Sequence, residues 1–244
     1  MILKWTPAIN VRTKLKIIIK KNKEVISMYV NPYKGKFIAF EGPDGSGQST
    51  QVSFLAGYLE KHGIMVTTTK EPTEGVVGRK IRAILQKKET IDPYVLQVFF
   101  AKDREEHLRE VIIPALDKGE VVISDRYYLS SIAFGSLDCE FDKLFALNDK
   151  FILPDATLSL DVSPSVCVER ISKRGEKKEL FEESEKLKQV YNAYKFLAKL
   201  KSGVYSIDGD MPIMEVHKNI AKIIQSLNWW PNKLANKNGK KCPA

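Results

Sequence analysis

The sequence predicts an α/β fold, a three-layer sandwich in which a five-stranded parallel sheet carries helices on both faces. Three observations support this. Five short apolar runs, at 36–41, 65–70, 120–125, 157–162 and 204–208, have strand character. Stretches with helical spacing separate them, and buried strands divided by helices form parallel sheets covered on both sides. The first run, Phe37-Ile38-Ala39-Phe40-Glu41-Gly42, ends in a glycine-studded turn that opens into a helix. The 244 residues suit one such domain with extensions, and 43% apolar composition is ample for its core.

Residues 1–27 precede the alternating pattern and contain the basic stretch Lys14-Leu15-Lys16-Ile17-Ile18-Ile19-Lys20-Lys21. A secretory signal needs a longer apolar core and a small-residue cleavage site, so that reading is rejected. A short surface helix, a membrane-touching segment, a nucleic-acid contact and a nonessential extension all fit, the last being the plainest. The expected organisation is a basic N-terminal extension at 1–27, a folded body at 28–227 and a basic tail at 228–244. The formal net charge of +9 belongs to the ends. Residues 1–30 hold seven Lys/Arg against one Glu, and 228–244 hold four Lys and no acid, which leaves the body at −1. A nucleic-acid-binding face over the whole domain is therefore not indicated. No apolar run approaches the roughly 20 residues that cross a bilayer. Cys139, Cys167 and Cys242 have neither metal-site nor redox spacing and read as reduced thiols of a cytoplasmic protein.

Helices are expected at about 48–62, 78–88, 93–117, 140–150, 164–174, 181–200 and 212–227. Asp92-Pro93 supplies an N-cap followed by proline at the first helical position. Gly63 and Gly119 suit C-terminal caps. The charged link Lys173-Arg174-Gly175-Glu176-Lys177-Lys178-Glu179 reads either as a solvated loop or as a mobile lid, at about 173–180, that brings cations over transferring phosphates. In the tail, Trp229 and Trp230 are expected to dock before the chain frays.

The chemistry is concentrated where the first strand ends. Gly42-Pro43-Asp44-Gly45-Ser46-Gly47-Gln48-Ser49-Thr50 has the strand, glycine-rich loop and helix start of a phosphate cradle. Its glycines let successive N–H groups converge on phosphate oxygens at the positive end of a helix dipole. Ser49 stands where a magnesium-binding hydroxyl belongs, and Gln48 stands where such loops carry lysine. Ligands on parallel sheets bind beyond the carboxyl ends of the strands. Glu71-Pro72-Thr73 and Asp125-Arg126-Tyr127 follow the second and third strands and join the loop there.

These pieces, in this order, resemble the thymidylate kinases among the P-loop nucleoside monophosphate kinases. The resemblance runs from about Gly35 to Leu227. It is carried by the loop segment, by Lys70-Glu71-Pro72-Thr73-Glu74-Gly75 and by Phe99-Phe100-Ala101-Lys102-Asp103-Arg104-Glu105-Glu106-His107. It continues through Val121-Val122-Ile123-Ser124-Asp125-Arg126-Tyr127-Tyr128, Leu160-Asp161-Val162-Ser163-Pro164 and Ile207-Asp208-Gly209. It implies a P-loop NTPase-like fold with a short helical lid, and transfer of the γ-phosphoryl group of ATP to dTMP with Mg²⁺. It also implies a homodimer.

By the same resemblance, Asp44 orients the acceptor nucleotide, Arg82 and Arg126 hold the dTMP phosphate, and Phe100 stacks on thymine. Arg104 bonds a base carbonyl, Tyr194 lies near the acceptor nucleoside, and Glu71 is a further substrate-side candidate. Asp125 joins Ser49 near the metal. Arg170 and Arg174 supply lid cations to ATP and the group in flight. Phosphoryl transfer fits such a set, because it needs two phosphates held in line and cations spread over moving charge.

Three positions depart from the family pattern. Gln48 replaces the loop lysine, and a lid cation, Arg174, Lys177 or Lys178, is the expected substitute. Gly135 stands where many members carry a polar residue facing the base, so base selection differs or water fills the gap. Leu180 lies where bacterial members often carry a lid arginine. A kinase for another pyrimidine nucleoside monophosphate, or a nucleotide-binding homologue impaired in catalysis, are the alternatives these departures keep open.

Overall fold

The computed structural model describes residues 14–18, 25–175, 179–200 and 203–231. Its centre is a five-stranded, all-parallel sheet. In chain order the strands are β3 (Lys36–Glu41), β4 (Val66–Lys70), β5 (Val121–Asp125), β7 (Ala156–Asp161) and β8 (Val204–Asp208), and across the sheet they run β4-β5-β3-β7-β8. The register pairs Phe40 with Asp125 and Lys70 with Asp125. The turns that leave β3, β4 and β5 therefore emerge side by side at one edge. All five expected strands are present, within one residue of their expected bounds.

Period-two alternation divides the core into two layers. Phe37, Ala39 and Val122 face one layer, and Ile38, Phe40, Val121 and Ile123 face the other. Helix α1 (Gln48–Lys61), α7 (Pro164–Lys173) and α9 (Ile213–Ser226) give apolar residues to the second layer. Helices α2 (Val76–Leu85), α3 (Pro93–His107) and α8 (Ser184–Leu200) give apolar residues to the first. Trp230 is buried in the second layer, stacked on Tyr58 with ring centroids 5.9 Å apart.

Four local outcomes differ from the sequence reading. The long helix expected at 93–117 starts as foreseen, with the Asp92 side chain accepting from Val95 N at 3.1 Å. It then widens into a π turn at Leu108–Ile112 before α4 (Ile113–Asp117). Pro114 has no N–H to give the Glu110 carbonyl and its ring crowds that turn, so the wider turn relieves the conflict.

A helix the sequence reading did not foresee, α5, spans Tyr128–Gly135, and all eight of its residues are buried. A helix buried on every side has no amphipathic period to detect. Helix α6 (Phe141–Asn148) follows it.

At the N-terminus, β1 (Lys14–Ile18) and β2 (Val25–Val30) pair antiparallel, and β2 runs parallel to β6 (Ile152–Leu153). The basic stretch thus holds a strand and no helix over 14–18, and β2 crosses the expected boundary at residue 28.

Finally, α7 stops at Lys173 and Gly175 turns left-handed at φ +71°. After α7 the described residues of the 173–180 link, Arg174, Gly175, Glu179 and Leu180, hold no helix. Lys177 and Lys178 lie outside the described residues.

Candidate active site

The loop after β3 is built by backbone geometry. Gly45 and Gly47 adopt φ of +81° and +92°, and a Cβ on Gly45 would lie 2.7 Å from the Cys167 carbonyl oxygen. Only glycine meets both demands at low cost. Gln48 follows at the first position of α1 and is buried. Its Nε2 donates to the carbonyl of Gly42 at 2.9 Å, to Pro43 O at 3.4 Å and to Ser46 Oγ at 3.1 Å. The amide thus ties the loop to itself and brings no charge. Arg170 donates from outside, Nη1 to Ser46 O at 3.3 Å and Nη2 to Gly209 O at 3.1 Å. Thr50 is exposed in the first turn of α1.

Ser49 Oγ donates to Asp125 Oδ2 at 2.5 Å. A hydroxyl and a carboxylate in contact beside a phosphate-type loop are hard oxygen donors of the kind Mg²⁺ takes, since that ion needs only one or two protein ligands besides phosphate and water. The described residues contain no cluster of three or more His, Cys, Asp or Glu that could hold a metal. That is compatible with so small a ligand set.

Arg126 is the hinge between the loop and a neighbouring cavity. Its backbone is left-handed, φ +73°, a conformation that costs a non-glycine residue roughly 1–2 kcal/mol. Hydrogen bonds fix it on both sides: Arg126 N donates to Phe40 O at 2.9 Å, and Ser124 Oγ donates to Arg126 O at 2.7 Å. The side chain then reaches back, Nη1 to Gly42 O at 2.9 Å and Nη2 to Asp44 Oδ1 at 2.6 Å. Burial lowers the guanidinium pKa, and Asp44, Tyr194, Asp125 and Glu41 together outweigh it, so the net shift is upward. Burial raises Asp44 despite the opposing pull of Arg126.

The cavity beside Arg126 has a volume of about 240 Å³. Asp44, Glu71, Arg82, Phe100, Arg104 and Arg126, six of the residues singled out from sequence, all line it. Arg82 is held by the carbonyls of Pro72 at 2.8 Å and Thr73 at 2.5 Å. Arg104 is fully buried and locked: Nε and Nη2 donate to Glu71 Oε2 at 2.9 and 2.6 Å, Nη2 also donates to Ser131 Oγ at 3.0 Å, and Nη1 contacts Asn148 Oδ1. Burial pushes Glu71 up, but Arg104 and His107 outweigh it and hold the carboxyl below its ordinary range.

The family then follows from comparison with known proteins. The thymidylate kinase family profile matches residues 40–220. The chain belongs to the thymidylate kinase family. Relatives include the thymidylate kinase of Caldicellulosiruptor saccharolyticus, 36% identical over 80% of this chain and 98% of its own length. The probable thymidylate kinase of Pyrococcus abyssi is 34% identical over 79% of this chain and 97% of its own. That of Archaeoglobus fulgidus is 37% identical over 78% and 94%.

Within this thymidylate kinase-family fold, three expected positions sit differently from the sequence reading. Tyr194 is buried and does not line the cavity. Its hydroxyl donates to Glu41 at 3.1 Å and shares a 2.8 Å contact with Ser130 Oγ. Arg174 is paired with Glu182, Nη2 2.5 Å from Oε1, from where its charge still acts on the Asp44 carboxyl of the loop. At Gly135 the Cβ direction is filled, since a Cβ there would lie 2.7 Å from Leu144 Cδ2 and 3.0 Å from Gln97 Cδ, while Gly135 also lines a second cavity of about 190 Å³.

The structure also adds residues that sequence reasoning missed. Lys70, Gln97, Ser130, Ser131, Phe134 and Phe181 line the same cavity. Glu41 lies beneath it, fully buried, accepting from Tyr127 N and Leu129 N at 3.1 Å each and from Ser130 Oγ at 2.6 Å. It satisfies the first N–H groups of α5 from a different element. Its place as the last strand residue before the loop was visible, but its partners were not, because α5 itself was not foreseen.

Proposed function

We propose that this chain transfers the γ-phosphoryl group of ATP to the 5′-phosphate of dTMP, giving dTDP and ADP. The observation that carries the reading is the junction at Arg126, which joins the phosphate-type loop to a cavity ringed by Arg82, Phe100 and Arg104. The loop amides of 42–50, with Arg170 behind them, bind the donor phosphates. Arg82 and Arg126 hold the acceptor phosphate, Asp44 orients it, Phe100 stacks on the base and Arg104 meets a base carbonyl. Arginine suits these places because its fork binds two oxygens at once. Ser49 and Asp125 would hold Mg²⁺, which when bound neutralises phosphate charge. Tyr194 supports Ser130 and Glu41 beneath the acceptor site and does not touch the nucleoside.

Incubating the purified chain with dTMP, ATP and Mg²⁺ in a coupled ADP-release assay should yield dTDP, with slower turnover on dUMP, dCMP and dGMP. Nucleotide binding without any turnover would sink the reading. Gln48 leaves one cation to be supplied, for which we propose Arg174, Lys177 or Lys178. Alanine at the supplying position should lower turnover under saturating ATP, and unchanged turnover in all three single variants removes this element. The reading extends to a homodimer in the cytoplasm. It is supported by the exposed apolar Tyr94, Val95 and Val98 of α3 and by the free thiols of Cys139 and Cys167. Sedimentation at twice the chain mass checks the dimer.

A further inference from the structure

One buried polar atom in the cavity wall has no partner. Gln97, on α3, is 3% exposed, and its Oε1 makes no hydrogen bond among the described residues. Leaving a buried acceptor unsatisfied costs about 1–3 kcal/mol, so an orphan of this kind in a folded chain calls for an explanation. Gln97 lines the main cavity beside Phe100, Arg104 and Ser131. It also lines a second cavity, of about 190 Å³, that shares Phe134 and Phe181 with the first. Its amide therefore stands in the wall between two open spaces.

Gly135 makes room for it. A Cβ at 135 would lie 3.0 and 3.1 Å from Gln97 Cδ and Cγ, so a larger residue on α5 would displace the amide. Arg104 completes the pattern. Four of its five N–H groups are committed to Glu71, Ser131 and Asn148, which leaves one Nη1 N–H uncommitted among the described residues. An acceptor from Gln97 and a donor from Arg104 thus flank one wall of the cavity.

We infer that Gln97 is a specificity-determining residue that selects the pyrimidine by its N3 edge. Its Oε1 accepts the N3–H of thymine or uracil while Arg104 donates to the neighbouring carbonyl. This rests on the proposed function, because it places the base against Phe100. Cytosine presents the opposite pattern, an acceptor at N3 and an amino donor at C4. Gln97 can turn its amide to suit cytosine, but Arg104, fixed on three sides, cannot become an acceptor. A site built to hydrogen-bond its substrate rejects the analogue that leaves its groups unpaired.

The test compares dTMP and dCMP, by calorimetric binding and by turnover, in the intact chain and in Gln97→Met, which keeps the volume and removes the amide. The dTMP kcat/KM should fall about 10- to 100-fold while that for dCMP changes little, collapsing the ratio between them. KM for ATP should not move, and the melting temperature should stay level or rise, since an unsatisfied acceptor is gone. Gln97→Asn keeps the amide but withdraws it by one methylene. It should show the same collapse, and it covers the case in which the Met variant does not fold. A dTMP-to-dCMP ratio equal to that of the intact chain in either folded variant overturns the assignment of Gln97 alone. If the intact chain neither binds nor phosphorylates dTMP, the proposed function falls and this inference with it.

Discussion

Glu41 and Glu71 are two buried carboxylates at the same edge of the same sheet, one ending β3 and the other following β4. Their environments are opposite. Glu41 is met by neutral donors, two backbone N–H groups and the hydroxyls of Ser130 and Tyr194. Glu71 is met by the Arg104 guanidinium and by His107 Nδ1 at 3.1 Å. Burial is the largest influence on each. It prevails at Glu41, whose pKa is raised, and is outweighed at Glu71, whose pKa is lowered. Neutral dipoles are enough to position a carboxylate, whereas a cation in contact fixes its charge as well. Glu41 shapes the α5 start under the loop, and Glu71 locks the arginine that faces the cavity.

The largest expected effect comes from breaking the charged side. Glu71→Ala strands Arg104 in the interior and should cost about 3–5 kcal/mol, read from the urea midpoint at unchanged m-value. Replacing both partners, Glu71→Leu with Arg104→Met, should recover most of that stability, because an apolar pair of similar volume avoids the desolvation penalty. A loss under about 1 kcal/mol in Glu71→Ala would erase the contrast with Glu41. Breaking the neutral side should cost less. Glu41→Gln turns an NH₂ toward groups that are themselves donors, and about 1–3 kcal/mol is expected in the same measurement.

The smallest effects are in the pH profile, and their signs are opposite. Glu71 has its pKa lowered on folding, so its stabilisation is fully present above the ordinary value of 4.5 and is lost as pH falls through the lower folded value. Glu41 has its pKa raised, so the folded state holds that proton more tightly. Stability associated with it falls as pH rises from 4.5 through the higher folded value. Urea unfolding of the intact chain and of Glu41→Gln, from acid to neutral pH, separates the two. Glu41→Gln should flatten the descent on the rising side and leave the acid loss intact. Identical profiles would show that Glu41 does not titrate differently in the folded and unfolded chain.

Local pattern alone was enough for the sheet, the loop and most helices. Apolar runs of strand length, helical spacing between them, and Asp92-Pro93 as a helix start are decided within a few residues of chain. The meeting of Asp44 with Arg126 was legible because loops after parallel strands meet at one edge, whereas Arg82, Phe100 and Arg104, which lie on helices, were grouped with them only through the resemblance to the thymidylate kinases. What each side chain holds was not legible. Tyr194 reads as a nucleoside contact, but the partners of its hydroxyl in the fold, Ser130 and Glu41, could not be read, because α5, which carries Ser130, is silent in sequence, being buried all round. Gln48 reads as a missing charge, while the fold shows what its amide does instead: it ties the loop carbonyls.

By itself the sequence determined the class of fold, the order of the elements and the phosphate-type loop, because periodicity and glycine placement act over short range. Only the tertiary structure decided which carboxylate meets a cation and which meets neutral dipoles, that Gln97 takes the space beside Gly135, and that β2 joins β6 across more than a hundred residues. Those outcomes depend on contacts between distant segments, and their energies come from burial and from partners that no local window of sequence contains.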